Sequence, residues 1–178
     1  MDLSSDFSLL WRGIKGEVLL HQLFNWDGMP NRLTQVNLDM RLFMSLFEWE
    51  RLVLATRFGW AKNYGAFQFP QAMYLGGTDN LRGYRKQRFA GRSLVYNNTE
   101  LRIRVANFST YLFGGIFGIQ IFNDIGRVFM DGQKSNKWHD GYGAGIWIAP
   151  IKRFVVTASL EHSEEEKLLP RVTFGFKF

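Results

Sequence analysis

Segment after segment of this 178-residue chain alternates apolar and polar side chains with a period of two. In 36–46, Val36, Leu38, Met40, Leu42, Met44 and Leu46 face one way, while Asn37, Asp39, Arg41, Phe43 and Ser45 face the other. In 98–105, Thr99, Leu101, Ile103 and Val105 oppose Asn98, Glu100, Arg102 and Arg104. In 153–161, Phe154, Val156, Ala158 and Leu160 oppose Arg153, Val155, Thr157, Ser159 and Glu161. The last eight residues set Val172, Phe174, Phe176 and Phe178 against Arg171, Thr173, Gly175 and Lys177. Weaker alternation in 14–26, 51–61, 115–130 and 142–149 brings the number of expected strands to eight. A helix over 36–46 would mix Asp39 and Arg41 with the leucines on one face, so strand is the reading there. No helix of ordinary length, internal repeat or low-complexity segment appears. The expectation is one all-β, antiparallel, meandering domain over 1–178.

Such strands suit two environments. A soluble sheet turns its apolar face to a core and its polar face to water. A membrane barrel turns the apolar face to lipid and the polar face to a lumen. The 17 Phe, 6 Trp, 6 Tyr and 18 Gly, with only 4 Pro, suit long strands and tight corners. No run of about 18 apolar residues marks a transmembrane helix. A mean hydropathy of −0.16 leaves a barrel open, because half of each barrel strand is polar. With no Cys there is neither a disulfide framework nor a thiolate metal site. The net charge of +6 fits a solvated basic surface, nucleic acid or an anionic membrane surface.

Arg41, Arg57, Glu100, Arg102 and Arg104 sit mid-strand on polar faces. Opposite charges recur at matching depth on several strands, which favours a wet lumen with cross-strand ion pairs over a plain exterior. Trp11, Trp26, Trp49, Trp60, Tyr64 and Tyr111 lie near strand ends, either as interface girdles or as half-buried aromatics at turns. Connectors alternate between tight corners (48–51, 150–152) and longer loops. The longest is a Gly-rich excursion over about 62–92.

That excursion carries Leu75-Gly76-Gly77-Thr78-Asp79-Asn80-Leu81-Arg82-Gly83-Tyr84 and then Phe89-Ala90-Gly91, followed by Asn98-Thr99-Glu100-Leu101-Arg102. Farther on stands Phe122-Asn123-Asp124-Ile125-Gly126. Together these motifs resemble the BamA/TamA-type outer-membrane assembly-factor superfamily (bacterial surface antigen family), which includes the two-partner secretion transporters. The resemblance covers essentially the whole chain and is strongest over 75–178. It implies a long loop folded back into the barrel, with Arg82, Gly83 and Tyr84 at its tip and Gly76 and Gly77 as hinges. By strand parity Asp124 and Phe122 point inward, as does Glu100. Arg82 on a returning loop would then meet two carboxylates, in a latch rather than a catalytic group. Phe122 and Gly126 belong to the second motif. Phe174, Gly175, Phe176 and Phe178 lie in the closing strand.

The family barrel has about sixteen strands, so the chain is expected to be the carboxyl-terminal half of one. A barrel of about eight strands is filled by its own side chains and leaves no room for such a loop. The amino terminus lacks the basic start and apolar stretch of a secretory signal, which adds to the expectation of a longer parent. Strand 14–26 and strand 171–178 are expected to be unpaired edges.

The implied function is assembly or insertion of outer-membrane proteins in the bacterial outer membrane. A polypeptide-secretion pore of the same superfamily and a small stand-alone barrel remain as alternatives. Implied partners are outer-membrane lipid, unfolded outer-membrane or secreted polypeptides, and periplasmic accessory proteins. An Arg-Gly contact to nucleic acid is disfavoured by the second motif. His21, His139 and His162 form no triad or metal spacing with Ser, Asp or Glu, so no enzyme, metal or cofactor is expected.

Overall fold

The computed structural model describes residues 13–24, 32–46, 51–109, 111, 114–132, 137–150 and 154–175. In chain order the strands are β1 (Gly13–Phe24), β2 (Arg32–Ser45), β3 (Leu52–Tyr64), β4 (Met73–Leu75), β5 (Phe89–Gly91), β6 (Ser93–Ser109), β7 (Gly114–Phe129), β8 (His139–Pro150), β9 (Val156–Ser163) and β10 (Leu169–Phe174). Eight of them form one antiparallel sheet in the order β1-β2-β3-β6-β7-β8-β9-β10. Its two ends, β1 and β10, have one partner each among the described residues. The remaining pair, β4 and β5, makes a separate small hairpin.

The sheet is inside-out relative to a soluble one. On one face Glu100, Arg102, Gln120, Asp124 and Glu161 are buried. On the other, Ile14, Val18, Leu20, Phe58, Ile121, Ile146, Leu160, Val172 and Phe174 are exposed. A soluble sheet exposing this much contiguous apolar surface would aggregate, whereas a barrel wall presents it to hydrocarbon. No helix among the described residues is long and apolar enough to cross a membrane.

The excursion between β3 and β6 covers the polar face. It is ordered rather than a plain loop over 62–92. Tyr64 still belongs to β3, a three-residue 3-10 turn spans Phe69–Gln71, and the β4–β5 hairpin follows. Its own side chains carry a small core: Met73, Leu75, Leu81 and Tyr84 pack with Ala61, Leu94 and Tyr96 of the wall. A second cluster, Ile116, Trp147, Ala149 and Val155, lies toward the other end of the sheet.

Some boundaries differ from the sequence reading. β6 runs over 17 residues rather than 98–105, because Leu94, Tyr96 and Asn98 continue its buried face. The closing strand begins at Leu169 and ends at Phe174, because Gly175 takes φ 88°, which breaks a strand. Gly175 still donates its N–H to the Val155 carbonyl at 2.6 Å. By alternation Arg171 and Thr173 bond toward β9, while Pro170, Val172 and Phe174 turn their backbone groups to the open edge. Phe176 and Phe178 lie outside the described residues, as do Trp11, Trp26, Trp49 and the corner at 48–50.

Candidate functional site

The tip of the excursion is built from short-range bonds. Gly77 and Leu81 exchange backbone hydrogen bonds of 3.0 and 3.2 Å. The Asn80 side chain accepts the Gly76 N–H at 2.8 Å and donates to the Tyr74 carbonyl at 2.8 Å. From the wall, Asn98 Nδ2 donates to the Asn80 carbonyl at 2.8 Å. Gly76 and Gly77 sit at φ 124° and 92°, where a side chain is strained. A Cβ on Gly76 would also stand 2.6 Å from the Arg85 carbonyl oxygen.

This turn delivers Arg82 to the wall. Its Nε and Nη2 donate to the two oxygens of Asp124, each at 2.9 Å, in the bidentate fork that guanidinium and carboxylate favour. Its backbone N–H also donates to Asp124 Oδ2 at 2.9 Å. Nη1 donates to Glu100 Oε2 at 2.5 Å. The second Glu100 oxygen accepts from Arg102 Nε at 2.6 Å, so that carboxylate stands between two cations. The guanidinium lies 3.7 Å from the centre of the Phe122 ring. Burial opposes the Arg82 cation, but the charges and hydrogen bonds of Asp124 and Glu100 outweigh it and raise its pKa above the ordinary value.

Gly83 and Tyr84 continue the contact toward β8, β9 and β10. Gly83 takes φ 87° and lies so close to the wall that a Cβ would meet the His162 carbonyl at 2.7 Å. Its N–H donates to Glu161 Oε2 at 3.0 Å, and its carbonyl accepts from Ser163 Oγ at 2.6 Å. Glu161 Oε1 accepts from Arg171 Nε of β10 at 2.9 Å. The loop tip and the terminal strand therefore share one carboxylate. Tyr84 is 1% exposed, packs edge-on against Phe89, and donates its hydroxyl to the Asp140 carbonyl at 3.1 Å. Burial, with the carboxylates of Glu165, Asp140 and Glu164 nearby, pushes its phenol up to about 12.

The wall makes room by omitting side chains. The buried face of β8 presents Gly141, Gly143 and Gly145 in succession. A Cβ on Gly141 would lie 1.8 Å from the Arg82 carbonyl oxygen, and one on Gly143 would strike the Phe122 ring at 2.6 Å. Outside the wall's rim, Glu166 accepts the Arg85 N–H at 2.9 Å and Glu165 pairs with Arg88 at 3.4 Å.

The structure thus brings Arg82, Gly83, Tyr84, Glu100, Phe122 and Asp124 into one cluster. Gly126 lies slightly apart, with Leu75 seated against its open face. Phe174 is on the opposite, exposed side of the sheet, and Gly175 ends β10. Sequence reasoning left out Glu161, Ser163, Arg171, Asn98 and the β8 glycines. Glu161 shares the parity of Thr157 and Ser159, and Gly-x-Gly-x-Gly at 141–145 marks a bare strand face, so both carried a usable signal. A separate ion-pair group joins β2 and β3. There Asp39 accepts from Arg41 Nε and Arg57 Nε, each at 2.7 Å, and from Tyr96 at 3.1 Å. Among the described residues no cluster of His, Asp and Glu could hold a metal ion.

An antiparallel wall with an apolar exterior, a charged interior and its own loop seated inside defines a β-barrel segment of the outer-membrane type. A family model described as the Omp85 superfamily domain matches residues 14–178, and the chain belongs to that superfamily. That superfamily comprises outer-membrane assembly and secretion proteins. No curated protein matches the chain.

Proposed function

We propose that this chain forms part of an outer-membrane barrel that assists assembly and insertion of outer-membrane proteins, with Arg82-Gly83-Tyr84 as a latch. The observation that carries the reading is the buried Arg82 fork on Asp124 with its third bond to Glu100. A cation so held fixes the loop against β6 and β7. The Gly83–Glu161–Arg171 chain of bonds extends that hold to β10. Docking of the loop and order in the terminal strand are thereby coupled.

The terminal strand is built for weak pairing. Of the residues facing its open edge, Pro170 lacks an N–H, which leaves Val172 and Phe174 with both donor and acceptor before Gly175 ends the strand. A client strand can add to such an edge and leave it again. The test uses the full-length protein with Val172→Cys or Thr173→Cys and a nascent barrel client carrying Cys along its own strands. Disulfide capture is the expected result, and its absence in an active protein would sink the reading.

A secretion pore is the second reading. It draws on the polar cavity of about 310 Å³ between the loop tip and β10, lined by Arg57, Asp79, Gln120, Thr157, Arg171 and Thr173 among others. Arg82→Ala should open that space. A large rise in planar-bilayer conductance together with continued export of a soluble client would favour the pore. Loss of client insertion with no export activity favours the assembly factor.

A further inference from the structure

The exposed face of the sheet is interrupted by a row of polar side chains. Register aligns Thr56 of β3, Thr99 of β6 and Asn123 of β7 side by side. On the same face Thr56 is bracketed along its strand by Leu54 and Phe58 and Asn123 by Ile121 and Ile125, while Thr99 stands between Asn97 and Leu101. Three of the polar groups satisfy one another: Asn97 Nδ2 donates to Thr56 Oγ1 at 3.3 Å, and Thr99 Oγ1 donates to Asn97 Oδ1 at 3.1 Å. Asn123 is exposed and has no side-chain hydrogen-bond partner among the described residues. A carboxamide facing hydrocarbon without a partner is costly, and a polar group at that position marks a site.

Toward the loop-bearing end, two rows on at Arg127 and three rows on at Lys62, cations replace the amides. Arg127 lies 4.6 Å from the Phe129 ring and 6.0 Å from that of Trp138. Lys62 Nζ lies 4.9 Å from the Tyr64 ring. Along one stretch of wall the chemistry therefore runs from aliphatic to amide and hydroxyl to aromatic-backed cation.

We propose that this stretch of β3, β6 and β7 binds one membrane lipid whose acyl chains are attached through amides or bear hydroxyls, and whose headgroup is phosphorylated. The layering matches such a lipid from tail to phosphate. The donor requirement selects it over an ordinary diacyl phosphoglyceride. Ester linkages only accept hydrogen bonds, so they satisfy the Asn123 NH₂ and leave its carbonyl oxygen unmet, whereas an amide N–H or a hydroxyl satisfies that oxygen as well. The cations then meet the phosphate. The site rests on the outer-membrane placement and owes nothing to the latch.

The test places the full-length protein in nanodiscs holding equal parts of lipid A, a phosphorylated glucosamine disaccharide with amide-linked hydroxyacyl chains, and phosphatidylethanolamine. Native mass spectrometry then reads which lipid stays bound on release. Lipid A should be retained over phosphatidylethanolamine by about tenfold, as one to two net hydrogen bonds give. Asn123→Leu should bring that preference to near parity while total lipid bound is unchanged. Lys62→Gln with Arg127→Gln should abolish discrimination between lipid A and its dephosphorylated form. An undiminished preference for lipid A in Asn123→Leu overturns the site. So does a photo-crosslinker at position 123 that captures protein in native membranes instead of lipid. Failure to retain either lipid would overturn the membrane placement itself, a distinct outcome from retention without preference.

Discussion

Arg82→Ala tests the loop's hold most directly. The substitution removes the fork on Asp124 and the bond to Glu100, both in a cluster where Arg82 is 5% exposed and the two carboxylates less. The two acids do not suffer equally. Glu100 keeps Arg102 at 2.6 Å, whereas Asp124 loses the guanidinium that meets both of its oxygens. Breaking one side of a buried ion pair costs about 3–5 kcal/mol. At 1.36 kcal/mol per decade, the docked-to-undocked ratio should fall by roughly 160- to 4,700-fold. Arg82→Lys keeps the charge but loses the planar fork, and its cost should be about 1–2 kcal/mol. The assay is limited proteolysis of the full-length protein in bilayers, with cleavage within 76–92 followed over time. The expected order of cleavage rates is wild type, then Arg82→Lys, then Arg82→Ala. If Arg82→Ala is cleaved no faster than wild type, the loop is held by its Leu75, Leu81 and Tyr84 packing, and the electrostatic argument is wrong.

Gly141→Ala should undock the loop without touching a charge, because its Cβ would fall 1.8 Å from the Arg82 carbonyl oxygen; the same proteolysis should show accelerated cleavage, and unchanged protection would refute the close approach. Trp147→Ala should cost about 3–5 kcal/mol by emptying the cluster with Ile116, Ala149 and Val155, and heat-modifiability on semi-native gels should show a lowered melting temperature. The rim contact should respond to acid only. The hydrogen bond from Lys137 holds the Glu165 carboxyl below its ordinary 4.5, so its contribution is complete above that value and is lost as pH falls through the lowered one. Loop protection should therefore decline as pH falls below the ordinary carboxyl value of 4.5, and protection undiminished there would contradict this.

Much of the wall is legible from alternation alone. The inward placement of Asp124 and Glu100 follows from the parity of their strands, because a period of two leaves each side chain one choice of face. The outward placement of Ile121, Leu160, Val172 and Phe174 follows in the same way. What alternation hides is anything decided between distant strands. The contacts of Glu161 and Ser163 with Gly83 join residues far apart in the chain, and no local pattern announces them. The β4–β5 hairpin is two three-residue strands that pair with each other, too short for periodicity to register. Gly175 reads as a weak interior position of a strand, yet its positive φ makes it the terminator. The start of β6 is obscured because Tyr96 and Asn98 are polar-tipped residues on a buried face, where the partners (Asp39 for one, Asn80 for the other) come from elsewhere.

The bare face of β8 has a consequence for how the loop can come and go. Gly141 and Gly143 carry nothing that must swing aside, so the groove exists whether or not the loop fills it. What fits there is main chain with no side chain directed at the floor, as at Arg82–Gly83. Occupation is then a contest between backbones for a preformed mould, decided by which one also brings a guanidinium to Asp124. A visiting segment that supplies peptide groups but no arginine could share the mould briefly and would yield it back to the resident loop.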